Sequence, residues 1–146
     1  MKHTNYITLE FLSRSANEAF ARGAVSCFAA QLDPTLEELG DIRTAVSEAV
    51  TNAVVHAYPE TLGKVTVKAK VLDGAVLEIT VRDWGRGIDD VDVARRPLYT
   101  TGGEERSGMG FTIMESFMDK VTVRSAPGKG TKVTMRRRIL PRPAQR

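Results

Sequence analysis

A single cysteine, Cys27, rules out an internal disulfide, and its apolar helical neighbours make a buried, reduced thiol the expectation. No stretch approaches the roughly 18 apolar residues of a membrane span, and the opening MKHTNYITLE lacks the apolar core of a secretion signal. A cytoplasmic protein with no membrane contact is expected. Aromatics make up only 6% of the chain, and none interleaves with the basic residues near the C-terminus, so stacking platforms for nucleic acid are missing. The net charge of +3 falls to −2 once the five arginines of the last eleven residues are set aside. A basic C-terminal end, rather than a basic groove, accounts for the charge, and no direct nucleic-acid contact is expected.

What is present is ordinary for one globular domain: 146 residues, 42% hydrophobic and 27% charged. Residues 1–140 read as a single domain and 141–146 as a basic tail. No internal repeat, low-complexity tract or linker divides them.

Residues 41–58, DIRTAVSEAVTNAVVHAY, carry Ile42, Ala45, Val46, Ala49, Val50, Ala53 and Val54 at the spacing of a buried helix face. Glu48 and Asn52, four apart, stand together on the face that this stripe leaves free. Before them, residues 6–12 alternate as a strand. Ser15 with Glu18 forms a capping-box pattern opening a helix whose stripe is Ala16, Ala19, Phe20, Gly23, Ala24, Cys27 and Phe28. Asp33-Pro34 ends that helix, and Thr35 with Glu38 forms a second capping box leading into the central one, with Gly40 a weak point on the way. After Pro59, residues 64–72 and 77–81 alternate around Asp73-Gly74 as a β-hairpin.

Beyond Arg82 the periodicity stops. DWGRGID is punctuated by glycine, DVDVARR has room for one helical turn, and residues 97–107 read as a mobile loop. Gly108-Met109-Gly110 opens a short apolar helix, an arrangement suited to anions because unpaired N–H groups and the helix dipole meet there. Two further strands follow around Pro127-Gly128-Lys129-Gly130, the last over 131–138, with fraying beyond Arg142. The order gives an α+β fold: a two-layer α/β sandwich with helices on one face of a mixed, largely antiparallel sheet.

Glu48/Asn52, Asp83-x-Gly85-x-Gly87 and Gly108-x-Gly110, in this order on a helix-over-sheet frame, resemble the ATP-binding domain shared by gyrase B, the ninety-kilodalton heat-shock chaperones, histidine kinases and the mismatch-repair protein MutL. SEAVTNAVVHAY and the run PLYTT…ERSGMGFTIMESFMD are similar to the anti-sigma factor serine kinases, most closely the sporulation anti-sigma F branch. This resemblance spans residues 11 to about 133. It implies ATP (or ADP) and Mg2+ as cofactors, with Asn52 as the magnesium ligand, a hard neutral oxygen beside phosphates and water. Asp83 would accept from the adenine amino group, Gly85 and Gly87 would let backbone approach the base, and Thr131 would lie near it. Gly108 and Gly110 would present N–H groups to the triphosphate, under a lid over 97–107 carrying Arg106 to the γ-phosphate. Glu48 would be the base.

The resemblance also implies partners: an RNA polymerase sigma factor that is bound and silenced, an anti-anti-sigma protein phosphorylated on serine, and a second copy in a homodimer, with Arg22 reaching the sigma factor. Gly102-Gly103 departs from the family's lid. With only His3 and His56 available, a histidine kinase lacks its phosphoacceptor, and His56 is expected to pack around the site. A stress-response (sigma B) relative and a nucleotide-gated binding module without kinase activity remain as alternatives.

Overall fold

The computed structural model describes residues 2–88 and 110–141. The expected lid, with Arg106 and Gly108, and residues 142–146 of the tail lie outside the described residues. The elements are β1 (His3–Leu12), α1 (Ala16–Ala29), α2 (Leu36–Thr51), β2 (Lys64–Leu72), β3 (Val76–Asp83), α3 (Gly110–Phe117), β4 (Lys120–Ala126) and β5 (Gly130–Arg138). The strands form one sheet in the order β1-β2-β3-β5-β4, and all four pairings are antiparallel. The α+β sandwich is as expected, and within the described residues its sheet has no parallel pair.

Alternation sets the two faces. Val65, Val67 and Ala69 on β2, Leu77, Ile79 and Val81 on β3, and Val133 and Met135 on β5 are buried in one core with Val25 of α1, Ile42, Val46 and Val50 of α2, and Met114 of α3. Each of the Val, Leu, Ile and Met side chains contributes about 1.5–3 kcal/mol on burial, so the sheet register is fixed by which face meets the helices. The hairpin turns through Gly74 and Ala75, both at positive φ.

The helices differ from their sequence reading in instructive ways. Thr35 and Glu38 do form a reciprocal capping box, with the Thr35 N–H donating to Glu38 Oε1 (2.8 Å) and the Glu38 N–H to Thr35 Oγ1 (3.0 Å). Ser15 does not: it already has helical dihedrals (φ −58°, ψ −31°) and its side chain makes no cap bond. A cap needs an extended residue there to aim its oxygen back at the first turn. Glu18 instead joins Ser47 and Arg22.

The stripe of α1 is also rotated from expectation. Ala21, Val25, Phe28 and Ala29 are its buried residues, whereas Phe20 is 58% exposed and Cys27 is exposed. In so alanine-rich a helix two stripes compete, and the β-branched Val25 with Phe28 takes the core. The expected buried thiol is therefore on the surface.

The central helix passes through Gly40 without a break and ends in a π-turn over Asn52–His56. Three of the arginines assigned to a basic end lie in β5, where Arg136 pairs with Glu78 (2.7 Å) and Arg137 with Asp41 (2.9 Å). The charge they carry belongs to the sheet.

Candidate functional site

The widened π-turn is the hinge of the site. It carries the chain from the end of α2 into Ala57 and Tyr58, and against these the segment after β3 is folded. The Ala57 carbonyl accepts from the Arg86 N–H at 2.9 Å. A Cβ on Gly85 would stand 2.1 Å from that same carbonyl oxygen, so only glycine permits the approach. Gly87 has φ +75°, and a Cβ there would lie 2.0 Å from the Ala126 carbonyl. Gly85 and Gly87 thus serve backbone-to-backbone packing in this structure.

Asp83 ends β3 opposite Thr131 of β5 and is only 6% exposed. One carboxylate oxygen, Oδ1, accepts from the Gly85 N–H (3.0 Å) and the Thr131 N–H (3.2 Å). Burial raises its pKa above the ordinary aspartate value, although both N–H donors pull the other way. A carboxyl anchored by one oxygen and held rigidly at the end of a strand is suited to a polar ligand edge. Thr131 also exchanges a hydroxyl hydrogen bond of 2.8 Å with Ser125.

The second cluster lies on α2. A Cβ placed on Gly110 would be 3.4 Å from Glu48 Oε2, 3.4 Å from Asn52 Nδ2 and 3.5 Å from Asn52 Oδ1. Both polar side chains, each half-buried, therefore end at the first turn of α3, where free N–H groups concentrate positive potential. Among the described residues no three His, Cys, Asp or Glu side chains converge on a metal position.

Arg22 stands apart, at the seam between α1 and α2. Its guanidinium is 3.5 Å from Glu18, whose same oxygen accepts from the Ser47 hydroxyl. Glu48, Asn52 and Gly110 are thus brought together, Asp83, Gly85, Gly87 and Thr131 form a second group beyond the C-terminus of α2, and Arg22 belongs to neither.

Three residues at the site escaped the sequence reading. Tyr58 donates to the Lys64 carbonyl (2.7 Å) and accepts from the Trp84 N–H (2.7 Å), clamping the residue next to Asp83. Burial first, and the Asp83 carboxylate in addition, raise its phenol pKa and keep it a donor. Ser125 accepts from the Ile88 N–H (2.8 Å) and donates to the Gly130 carbonyl (2.9 Å). Gly130 has φ +85°, and a Cβ there would meet the Asp83 carbonyl oxygen at 2.2 Å. The one available signal was that the turn carries two glycines, Gly128 and Gly130, where a simple turn needs only one.

Comparison with known proteins places the chain in a family. Residues 11–137 match the model of the histidine kinase-like ATPase domain. The anti-sigma F factor of Caldanaerobacter subterraneus subsp. tengcongensis is 55% identical over 140 residues, covering 95% of this chain and 97% of that protein. That of Pasteuria penetrans is 58% identical over 137 residues, covering 92% and 91%. Among solved structures, the RsbU and RsbW domains of a Mycobacterium tuberculosis protein superpose with a TM-score of 0.69 at 20% identity, covering 93% of this chain and 32% of that one. The mycobacterial sensor histidine kinase MprB gives 0.58 at 15%, covering 93% and 100%, which speaks to the fold alone. The chain belongs to the histidine kinase-like ATPase domain family and, within it, to the anti-sigma F factors.

Proposed function

We propose that this protein binds and silences the sporulation sigma factor sigma F and, as an ATP-dependent protein serine kinase, phosphorylates the anti-anti-sigma protein that competes for it. It acts as a cytoplasmic homodimer, one domain over residues 1–140 with a basic tail from 141. The observation that carries the reading is the convergence of Glu48 and Asn52 on the first turn of α3, one helix end away from the anchored Asp83 carboxyl.

The residues fit a magnesium nucleotide. Asp83 has an oxygen to spare for an amino group, and Gly85 and Gly130 keep Cβ atoms from the backbone around it. Asn52 offers one neutral oxygen, so a magnesium ion there would take its other ligands from phosphate and water, as that ion prefers. Bound ATP supplies the transferable phosphoryl group and Mg2+ neutralises its charge. Glu48 orients the incoming serine hydroxyl and takes its proton as the new P–O bond forms and the bond to ADP breaks. The N–H groups of Gly108 and Gly110 would hold phosphate oxygens, Arg106 would meet the γ-phosphate, Gly87 and Thr131 would complete the base end, and Arg22 would contact the sigma factor.

Intact-mass measurement tests the reading: the protein, Mg-ATP and the anti-anti-sigma protein of the same genome are mixed and the substrate is weighed. One added phosphate on a serine is expected. An unmodified substrate with nucleotide still bound would leave a nucleotide-gated sigma-binding module.

A further inference from the structure

The side of the sheet away from the helices is polar and basic. Lys68 and Lys70 on β2, Arg82 on β3, Lys132 on β5, and Lys120 and Arg124 on β4 share this face by register. Against them the strands place only Glu10 and Glu78, each beside a cation: Glu10 lies 4.0 Å from Lys64 Nζ and Glu78 2.7 Å from Arg136. The cross-strand partners Arg82, Lys132 and Arg124 form an unbroken row of three like charges. Directly opposed like charges weaken a sheet, so this row costs stability that nothing on the strands offsets.

We propose that this open sheet face docks an acidic segment of a partner protein, and that carboxylates of the partner neutralise the Arg82–Lys132–Arg124 row. A protein segment fits better than nucleic acid on three counts. The aromatic rings of the face are already covered by cations: Lys64 Nζ lies 4.2 Å and the Arg82 guanidinium 4.8 Å from the Trp84 ring centre, and Lys68 Nζ 5.6 Å from that of Tyr6. Bases would need those rings free to stack. Glu10 and Glu78 sit inside the face, where a phosphodiester chain with a charge at every step meets them unfavourably and a mixed protein surface need not. The whole chain carries only +3, so beyond a Debye length of about 8–10 Å little positive field remains to gather a polyanion. A second copy laid face to face would oppose cation to cation.

The test uses the full chain with Lys68→Glu, Arg124→Glu and Lys132→Glu combined, positions outside the nucleotide machinery, and the single Arg124→Glu as control for folding. Binding of a labelled oligoglutamate peptide is read by fluorescence anisotropy at low and high salt, with an oligothymidylate of equal charge in parallel. The expected result is peptide binding that weakens with salt, falls about tenfold or more in the triple variant, and exceeds oligothymidylate binding. Arg124→Glu should bind more weakly while its melting temperature stays level or rises, because it breaks the like-charge row. Equal peptide binding by wild type and triple variant overturns the proposal. Tighter oligothymidylate binding also overturns it, in favour of nucleic acid, and a change of oligomeric state in the triple variant by sedimentation assigns the face to a second copy instead.

Discussion

Asp83→Asn separates the ligand-binding role of this carboxyl from its structural one. The asparagine oxygen can still accept from the Gly85 and Thr131 N–H groups at the 3.0 and 3.2 Å now made by Oδ1. The second oxygen becomes an NH2, which would face the adenine amino group donor to donor. A hydrogen bond to a charged acceptor contributes about 1.5–3 kcal/mol, and each 1.4 kcal/mol is tenfold in affinity. The ATP dissociation constant should therefore rise about ten- to a hundredfold. Stability should move differently. Burial raises the folded-state pKa of Asp83 above its unfolded value, so the protonated form is favoured by folding and the cost of the charged form grows as pH rises through that window. The asparagine variant carries no such cost, so it should be at least as stable as wild type at neutral pH and lose that advantage near pH 4. Calorimetric ATP titration with melting curves at both pH values measures this. A folded variant that binds ATP with wild-type affinity would refute the assignment of Asp83 to the base.

Other perturbations follow from the same geometry. Gly130→Ala forces a side chain into φ +85° and against the Asp83 carbonyl, and should cost about 3 kcal/mol or more in denaturant unfolding. Tyr58→Phe removes the hydroxyl that donates to the Lys64 carbonyl and accepts from the Trp84 N–H, and should cost about 1–3 kcal/mol and weaken ATP binding in the same titration. Glu38 is buried, which raises its pKa, but hydrogen bonds from Thr35 and Leu140 and the charge of Arg137 outweigh this and hold it below 4.5. Its contribution is therefore full above pH 4.5 and lost as pH falls through the lower folded value, so Glu38→Gln should be less stable at neutral pH by about 1–2 kcal/mol and equal to wild type in strong acid.

Local chemistry made much of this molecule legible. The Thr35–Glu38 box and the alternation of β2 and β3 depend on residues close in sequence, and both appear as read. Glu48 and Asn52, four apart on one helix, needed only helical geometry to be paired. The Ser15 box failed because the same four-residue pattern also fits a serine already inside the helix. The π-turn at Asn52–His56 leaves no mark in a stretch without Gly or Pro. Tyr58 reaches Trp84 across 26 residues of sequence, Ser125 reaches Ile88 across 37, and Gly130 packs on the Asp83 carbonyl, through backbone contacts that only the assembled sheet creates. The basic open face was hidden for a similar reason: its cations are scattered along four strands, and only register sets Arg82, Lys132 and Arg124 side by side.

The central claim is that Glu48 serves phosphoryl transfer to a serine, and Glu48→Gln tests it most directly. The variant and wild type are compared in a single turnover with Mg-ATP and the anti-anti-sigma protein, with ATP affinity measured alongside. Glu48→Gln is expected to bind ATP as wild type does and to leave the substrate unphosphorylated, a rate loss of about a hundredfold or more. Wild-type phosphorylation by Glu48→Gln would contradict it.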